Sequence, residues 1–278
     1  MSKDIALEAS YIAEMVRSEM IDRYGVGAYT GGYTVFTTIN SAAQISATKA
    51  LRKALDSYSD RHGYRGSEEQ YLINDDMSDI EKILVKYKNI GPLKPALIVK
   101  VEEKSIRAIL KNGEYISIPW QGLKWARSYI TRNKRGASPK KAGDILSKGD
   151  LIRVRYIEKK DKSGYWRLSQ APKVSGALIS LKSKTGAILA LVGGYDFYTS
   201  KFNRVTQATR QPGSGFKAFI YSAALEHGFT AASIINDAPV VFDDPGLESA
   251  WRPENYSGKF FGPTRLRFAL TKSRNLVS

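Results

Sequence analysis

Ser175-Gly176-Ala177-Leu178-Ile179-Ser180-Leu181, a Lys184-Thr185-Gly186 turn, and Ala187-Ile188-Leu189-Ala190-Leu191-Val192 ending at Gly193-Gly194 place two apolar segments around a tight reversal. Such a pattern predicts a β-hairpin in a sheet covered on one or both faces. Downstream, Gln211-Pro212-Gly213 interrupts the chain, and a helix is predicted from Ser214 to about Glu226, closed by His227-Gly228.

Towards the N-terminus, Ile12, Met15, Val16 and Met20 among charged neighbours predict an amphipathic helix from Ala6 to Tyr24, stopped by Gly25 and Gly27. Gly32-Tyr33-Thr34-Val35-Phe36-Thr37-Thr38-Ile39, β-branched and aromatic, reads as a strand. Asn40 or Ser41 then caps a second helix reaching about Leu55. Residues 57–95 are polar and turn-rich, with a boundary at Arg61–Ser67 and a short helix near Met77–Tyr87. From Ala96 to Leu168 five short strands separated by turns suit a small barrel of the oligonucleotide/oligosaccharide-binding (OB) shape. Its Arg127–Lys148 loop is long, basic and expected to be mobile. The predicted class is α+β, divided as residues 1–63, an OB-like insert at 64–172, and 173–278.

The composition narrows the chemistry. A hydrophobic content of 42% supports packed cores rather than wholesale disorder. A formal charge of +16 favours polyanions, anionic membrane surfaces or acidic polymers. The absence of cysteine excludes disulfides, thiolate metal sites and cysteine nucleophiles, and only His62 and His227 could serve as a triad base. No metal or cofactor is expected. No apolar run reaches the roughly 18 residues of a membrane span, and Met1-Ser2-Lys3-Asp4 does not open a signal peptide.

A serine nucleophile can give its proton to a lysine held neutral by desolvation, and Ser-x-x-Lys on a helix puts the two on one face. The pattern occurs at Ser46…Lys49, Ser138…Lys141 and Ser214…Lys217, and only the last sits at a helix start. Taken alone, Ser214 reads as a plain N-cap serine. Ser-x-Asn, however, occurs once, as Ser273-Arg274-Asn275, 59 positions downstream. Ser-x-x-Lys with a Ser-x-Asn-type motif and Lys-Thr-Gly is the set used by penicillin-binding proteins and class A β-lactamases. In that set the second serine shuttles a proton, and the asparagine holds the lysine and the substrate amide.

The flanks extend the match. Arg210-Gln211-Pro212-Gly213-Ser214-Gly215-Phe216-Lys217, Trp251-Arg252-Pro253-Glu254-Asn255-Tyr256 and Gly262-Pro263-Thr264-Arg265 through Asn275 closely resemble the class A high-molecular-weight penicillin-binding proteins of the 1A type. Gly32–Ile39 is similar to that family's first transpeptidase strand, Trp120–Arg127 and Gly149–Ile152 to its inserted barrel, and Gly176–Gly194 to the hairpin before the nucleophile. Lys184-Thr185-Gly186 spells the third motif but precedes Ser214 in a hairpin turn, so the true Lys-[Ser/Thr]-Gly strand is expected beyond Ser278. Ala218 stands where the family often has proline.

The resemblance implies part of a serine β-lactamase-like transpeptidase domain carrying the insert, with Ser214, Lys217, Ser273 and Asn275 as its catalytic residues. It implies a D,D-transpeptidase that cross-links peptidoglycan stem peptides ending in D-Ala-D-Ala and is acylated by β-lactams. The parent would carry an N-terminal glycosyltransferase and a membrane anchor on the periplasmic face of the inner membrane, and this piece alone is expected to be inactive and poorly folded. The insert is expected to dock a protein activator or glycan. The rivals are a β-lactamase-type hydrolase, disfavoured by the insert and Arg274, and a basic OB-like module gripping single strands through Trp120 and Trp125. Nucleic acid is not the expected partner.

Overall fold

The computed structural model describes residues 7–73, 77–159, 162–241 and 252–278, so Trp251 lies outside the described residues. The chain divides into two compact units, Met1–Ala208 and Thr209–Ser278.

The first unit opens with α1 (Ser10–Tyr24), ended by Gly25 at φ 56°, and a single turn α2 (Gly27–Thr30). Residues 33–40 are not a strand. A strand requires a partner ladder, and this segment offers only its end: Asn40 N donates to Leu189 O at 2.9 Å, and Thr38 Oγ1 donates to Ile188 O at 2.7 Å. Helix α3 (Ser41–His62) is capped by Asn40, whose Oδ1 accepts from Ala43 N at 3.0 Å. It runs a further two turns past the predicted end, because its last turns face the β-rich insert.

That insert contains β1 (Glu69–Gln70), α4 (Met77–Leu84), β2 (Lys94–Val101), β3 (Ser105–Leu110), β4 (Tyr115–Pro119) and α5 (Trp120–Leu123). A hairpin of β5 (Tyr129–Thr131) and β6 (Lys134–Arg135) follows, then β7 (Asp150–Lys159) and β8 (Lys162–Ser169). The main sheet runs β1-β7-β2-β3-β4, with β8 also on β7; among the described residues no ladder closes it into a barrel. Register explains the apolar run in β2. Leu97 pairs with Ile109 and Leu151 on one face, under Ile80 and Leu84 of α4, while Ile98, Ala108 and Ile152 face a second core. Both faces are covered, so alternation disappears. The basic loop predicted as mobile instead carries the β5–β6 hairpin and a turn in which Asp144 Oδ2 accepts from Lys140 N and Lys141 N.

Two ion pairs join the insert to α3, and a third lies within the insert itself. Arg155 pairs with Asp56, Arg167 Nη2 meets Asp60 Oδ2 at 2.7 Å, and Arg153 Nη2 meets Glu68 Oε2 at 2.8 Å. Burial pushes the Asp56 carboxyl up, against the opposing pull of Arg155. The hairpin of β9 (Leu178–Leu181) and β10 (Ile188–Val192) lays Ala190 and Val192 on Ala47, Leu51 and Leu55 of α3. Lys184-Thr185-Gly186 is its exposed turn, with Gly186 N donating to Lys182 O at 2.8 Å.

The second unit begins with a 3₁₀ turn, Gly213–Phe216, feeding α6 (Lys217–Glu226). β11 (Ile234–Asp237) pairs antiparallel with β12 (Gly262–Arg265), which leads into α7 (Leu266–Thr271). Tyr221, Leu266, Ala269 and Val277 form its small core, with Ala224 and Ile235 packed against them.

Candidate active site

Ser214 lies in the 3₁₀ turn rather than at an α-helical N-cap, and no side chain caps that turn or α6. Ser214 is exposed, and its hydroxyl is not spent on capping either element. Lys217, at the first position of α6, is buried at 7% exposure. The other two Ser-x-x-Lys pairs, Ser46…Lys49 and Ser138…Lys141, are exposed throughout.

Lys217 makes no hydrogen bond to Ser214. Its Nζ donates to Ser273 O at 2.8 Å, Arg274 O at 3.0 Å, Asn275 Oδ1 at 2.8 Å and Ser273 Oγ at 3.2 Å. Ser273 O–H in turn donates to Ser214 Oγ at 3.0 Å. The link from Lys217 to Ser214 thus passes through Ser273. Spacing alone had suggested direct contact across one helical face, but the oxygens of the Ser273–Asn275 turn draw the amine away.

The end of α7 explains how those oxygens converge. Arg274 N donates to Ala269 O at 2.9 Å and Ser273 N to Leu270 O at 3.0 Å, the two bonds of a Schellman cap. Ser273 occupies the position usually given to glycine and adopts φ 52°, the one positive φ at a non-glycine among the described residues. Helix α6 closes the same way through Phe229 N to Ala224 O at 3.0 Å and Gly228 N to Leu225 O at 3.3 Å, and there the position is glycine at φ 89°. Where geometry alone is needed the chain uses glycine; where a hydroxyl is needed it carries serine and accepts strain of about 1–2 kcal/mol.

Burial holds the Lys217 pKa below the ordinary lysine value. A neutral amine has two N–H donors and one lone pair. Two of the surrounding oxygens can take the donors, leaving the lone pair for the Ser273 proton. Asn275 is fixed on both sides: its Oδ1 accepts from Lys217 while Nδ2 donates to Glu254 O at 2.8 Å. One amide proton is thereby committed to the protein, leaving the other for a substrate. Asn255 and Asp237 lie behind this turn, outside both motifs; as isolated polar letters they carry no periodic signal in the sequence. Both histidines sit at helix ends, His227 with Nδ1 2.9 Å from Ala223 O and His62 with Nδ1 2.7 Å from Tyr58 O. Among the described residues no group of three or more His, Cys, Asp or Glu is placed to hold a metal ion.

An α+β chain with an OB-like β-sheet, and with Ser-x-x-Lys brought onto Ser-x-Asn in its second unit, has the make-up of the penicillin-binding class. Residues 64–174 match the penicillin-binding protein OB-like domain and residues 176–278 the penicillin binding protein transpeptidase domain. The chain belongs to the penicillin-binding protein family. It is 47% identical over 98% of its length to penicillin-binding protein 1A of Pseudomonas aeruginosa, and 41% identical over 99% to that of Escherichia coli strain K12. It covers 32% of each of those relatives. The crystal structure of penicillin-binding protein 1A from Haemophilus influenzae superposes with a TM-score of 0.82 at 36% identity, over 99% of this chain and 39% of that one.

Proposed function

We propose that this chain carries the acylating centre of a D,D-transpeptidase that cross-links peptidoglycan stem peptides and is the target of β-lactams. The observation that supports this most is the path from Lys217 through Ser273 Oγ to Ser214 Oγ, with links of 3.2 and 3.0 Å. With the lysine neutral, the hydrogen bonds run in reverse. Ser214 O–H donates to Ser273 Oγ, and Ser273 O–H donates to Lys217 Nζ. As Ser214 Oγ attacks the penultimate D-Ala carbonyl, its proton passes along this path to the amine. Collapse of the tetrahedral intermediate breaks the amide bond, the proton returns to the departing D-Ala nitrogen, and an amine from a neighbouring stem resolves the acyl-enzyme.

The basic-module reading fares poorly on the same structure. Trp125 donates Nε1–H to Leu168 O at 3.0 Å and packs with Trp120 against the insert's core, so neither ring is a free stacking platform. Part of the positive charge is spent internally on Asp56, Asp60 and Glu68.

Residues 64–172 are read as an insert, and we assign it the docking of an activator or glycan; full regulated activity after deletion of residues 96–168 would refute that assignment. We assign the whole protein to the periplasmic face of the inner membrane, with a glycosyltransferase activity outside the two matched domains. Among the described residues no helix is long and apolar enough to cross a membrane.

The test is labelling. Protein expressed at the full length its gene encodes is incubated with a fluorescent penicillin, digested and mapped by mass spectrometry. A stable adduct on Ser214 is expected. Rapid turnover of the β-lactam would indicate a hydrolase, and labelling at another residue would remove Ser214 from its role.

A further inference from the structure

The strained turn at Ser273 needs something to hold it, and the Schellman bonds would form equally well, and with less strain, around glycine. Directly behind it lies a buried polar clamp that the reaction itself does not use. Asn255, at 5% exposure, accepts the Asn275 backbone N–H on Oδ1 at 2.8 Å. Its Nδ2 donates to Asp237 Oδ1 at 2.7 Å and to Lys259 O at 2.9 Å, so every polar atom of the amide is engaged. Asp237, on β11, is completely buried. Its second oxygen, Oδ2, makes no hydrogen bond and faces Arg274 Nε at 3.8 Å, and that nitrogen is likewise unbonded. The Arg274 guanidinium is held from the other side by the Phe261 ring, with Cζ 3.3 Å from its centroid. Asp237 therefore grips the turn twice, through Asn255 onto the Asn275 amide and by charge onto Arg274.

We propose that Asn255, backed by Asp237, is a positioning residue for acylation: it pins the Ser273–Asn275 turn so that Ser273 Oγ stays between Lys217 and Ser214. The proposal rests on Ser214 being the acylated serine. Neither Asn255 nor Asp237 touches a reacting atom. Their effect is to keep three lysine acceptors and one relay hydroxyl in register within a few tenths of an ångström, the tolerance that proton transfer along hydrogen bonds requires. The orientation of the Asn255 amide is dictated by its partners. A carboxylate in front requires the NH₂ group, and a backbone N–H behind requires the oxygen.

That polarity supplies the test. Asn255→Asp turns the donor towards Asp237 into a second carboxylate, whereas the exchange Asp237→Asn with Asn255→Asp restores a donor facing an acceptor and leaves the Asn275 N–H its oxygen. All variants are made at the full length the gene encodes, checked for thermal unfolding, and followed by stopped-flow acylation with a fluorescent penicillin, separating the initial binding constant from the acylation rate constant. N255A and N255D are expected to acylate at least tenfold more slowly with initial binding within threefold of wild type. The exchange variant is expected to recover at least half of the loss on a logarithmic scale. A general loss of fold would lower the labelled fraction without this rescue. Single variants acylating within twofold of wild type would overturn the proposal. So would a folded exchange variant no faster than N255D, and this second arm decides the matter if N255A does not fold. Failure of the wild type to be labelled at Ser214 sinks the reading beneath the proposal instead, and is seen in the same mass map.

Discussion

Replacing Ser273 by alanine and by glycine separates what its hydroxyl does from what its backbone endures. Both changes delete Oγ, which accepts from Lys217 at 3.2 Å and donates to Ser214 at 3.0 Å. Since Lys217 has no direct bond to Ser214, the proton path is cut in either variant, and general acid–base assistance of this kind is worth about 10²–10⁴-fold. The backbone responds differently. At φ 52° alanine keeps the left-handed penalty of about 1–2 kcal/mol, and glycine removes it. Glycine also gives the unfolded chain extra freedom costing about 0.5–1 kcal/mol, so from the midpoints of these ranges S273G should exceed S273A in stability by about 0.75 kcal/mol. For a domain of this size that is about 1–4 °C in melting temperature. Differential scanning fluorimetry reads the stability order, and penicillin acylation kinetics read the chemistry. The reasoning fails if S273A acylates within threefold of wild type, or if S273G melts below S273A.

Four further outcomes follow from the same structure. Lys217→Arg cannot shed its charge at accessible pH, so acylation should fall by about 10²–10⁴-fold and lack the rise with pH expected of wild type as Lys217 deprotonates below its ordinary 10.5. In the pH window between the depressed folded pKa and 10.5 the unfolded chain binds more protons. The Lys217 contribution to stability therefore increases as pH rises and is lost as it falls, a slope that Lys217→Met should remove in urea melts. Arg155→Ala strands the buried Asp56 carboxylate and should cost about 3 kcal/mol in urea unfolding, whereas R155M/D56N should recover most of it; losses of R155M and D56N that simply add in the double variant would show that the pair is not coupled. Gly149→Ala should destabilise the insert by about 2 kcal/mol or more, because φ is +86° and a Cβ would lie 2.0 Å from Tyr71 O; an unchanged melt would contradict that register.

What could be read from sequence divides along the range of the forces involved. The first helix with its Gly25 stop, the second helix as far as about Leu55, the β9–β10 hairpin and the five longer strands of the insert are legible locally, and Asn40 before Ser41 is a cap in the structure as well. The run Gly32–Ile39 misled for the opposite reason. Its β-branched residues express a propensity, but a strand is a property of two chains, and beside this segment only Ile188 O and Leu189 O take bonds. The β11–β12 pair was invisible because Ile234–Asp237 and Gly262–Arg265 are too short for a period and are drawn together only in the fold.

The site shows the same division at the scale of single atoms. Ser214 and Lys217 are visible as a spacing, and Ser273 and Asn275 as a second spacing, but nothing in either spacing says that the lysine turns from the first motif to the second. That follows from a helix ending in a left-handed residue, and the sequence disguises it, because serine at the capping position lacks the glycine that normally announces such an end. Gly228 announces the end of α6; at the end of α7 a helix-end turn could be read from Ser273–Asn275 only as one alternative, because Ser273 stands in place of glycine with its side chain in contact with Lys217 and Ser214. On the proposed mechanism, a locally unfavourable residue held in place by Asn255 and Lys217 is what a proton path between distant segments requires: the strain has to be offset by the same groups the path must bring together, so loosening any of them would loosen all.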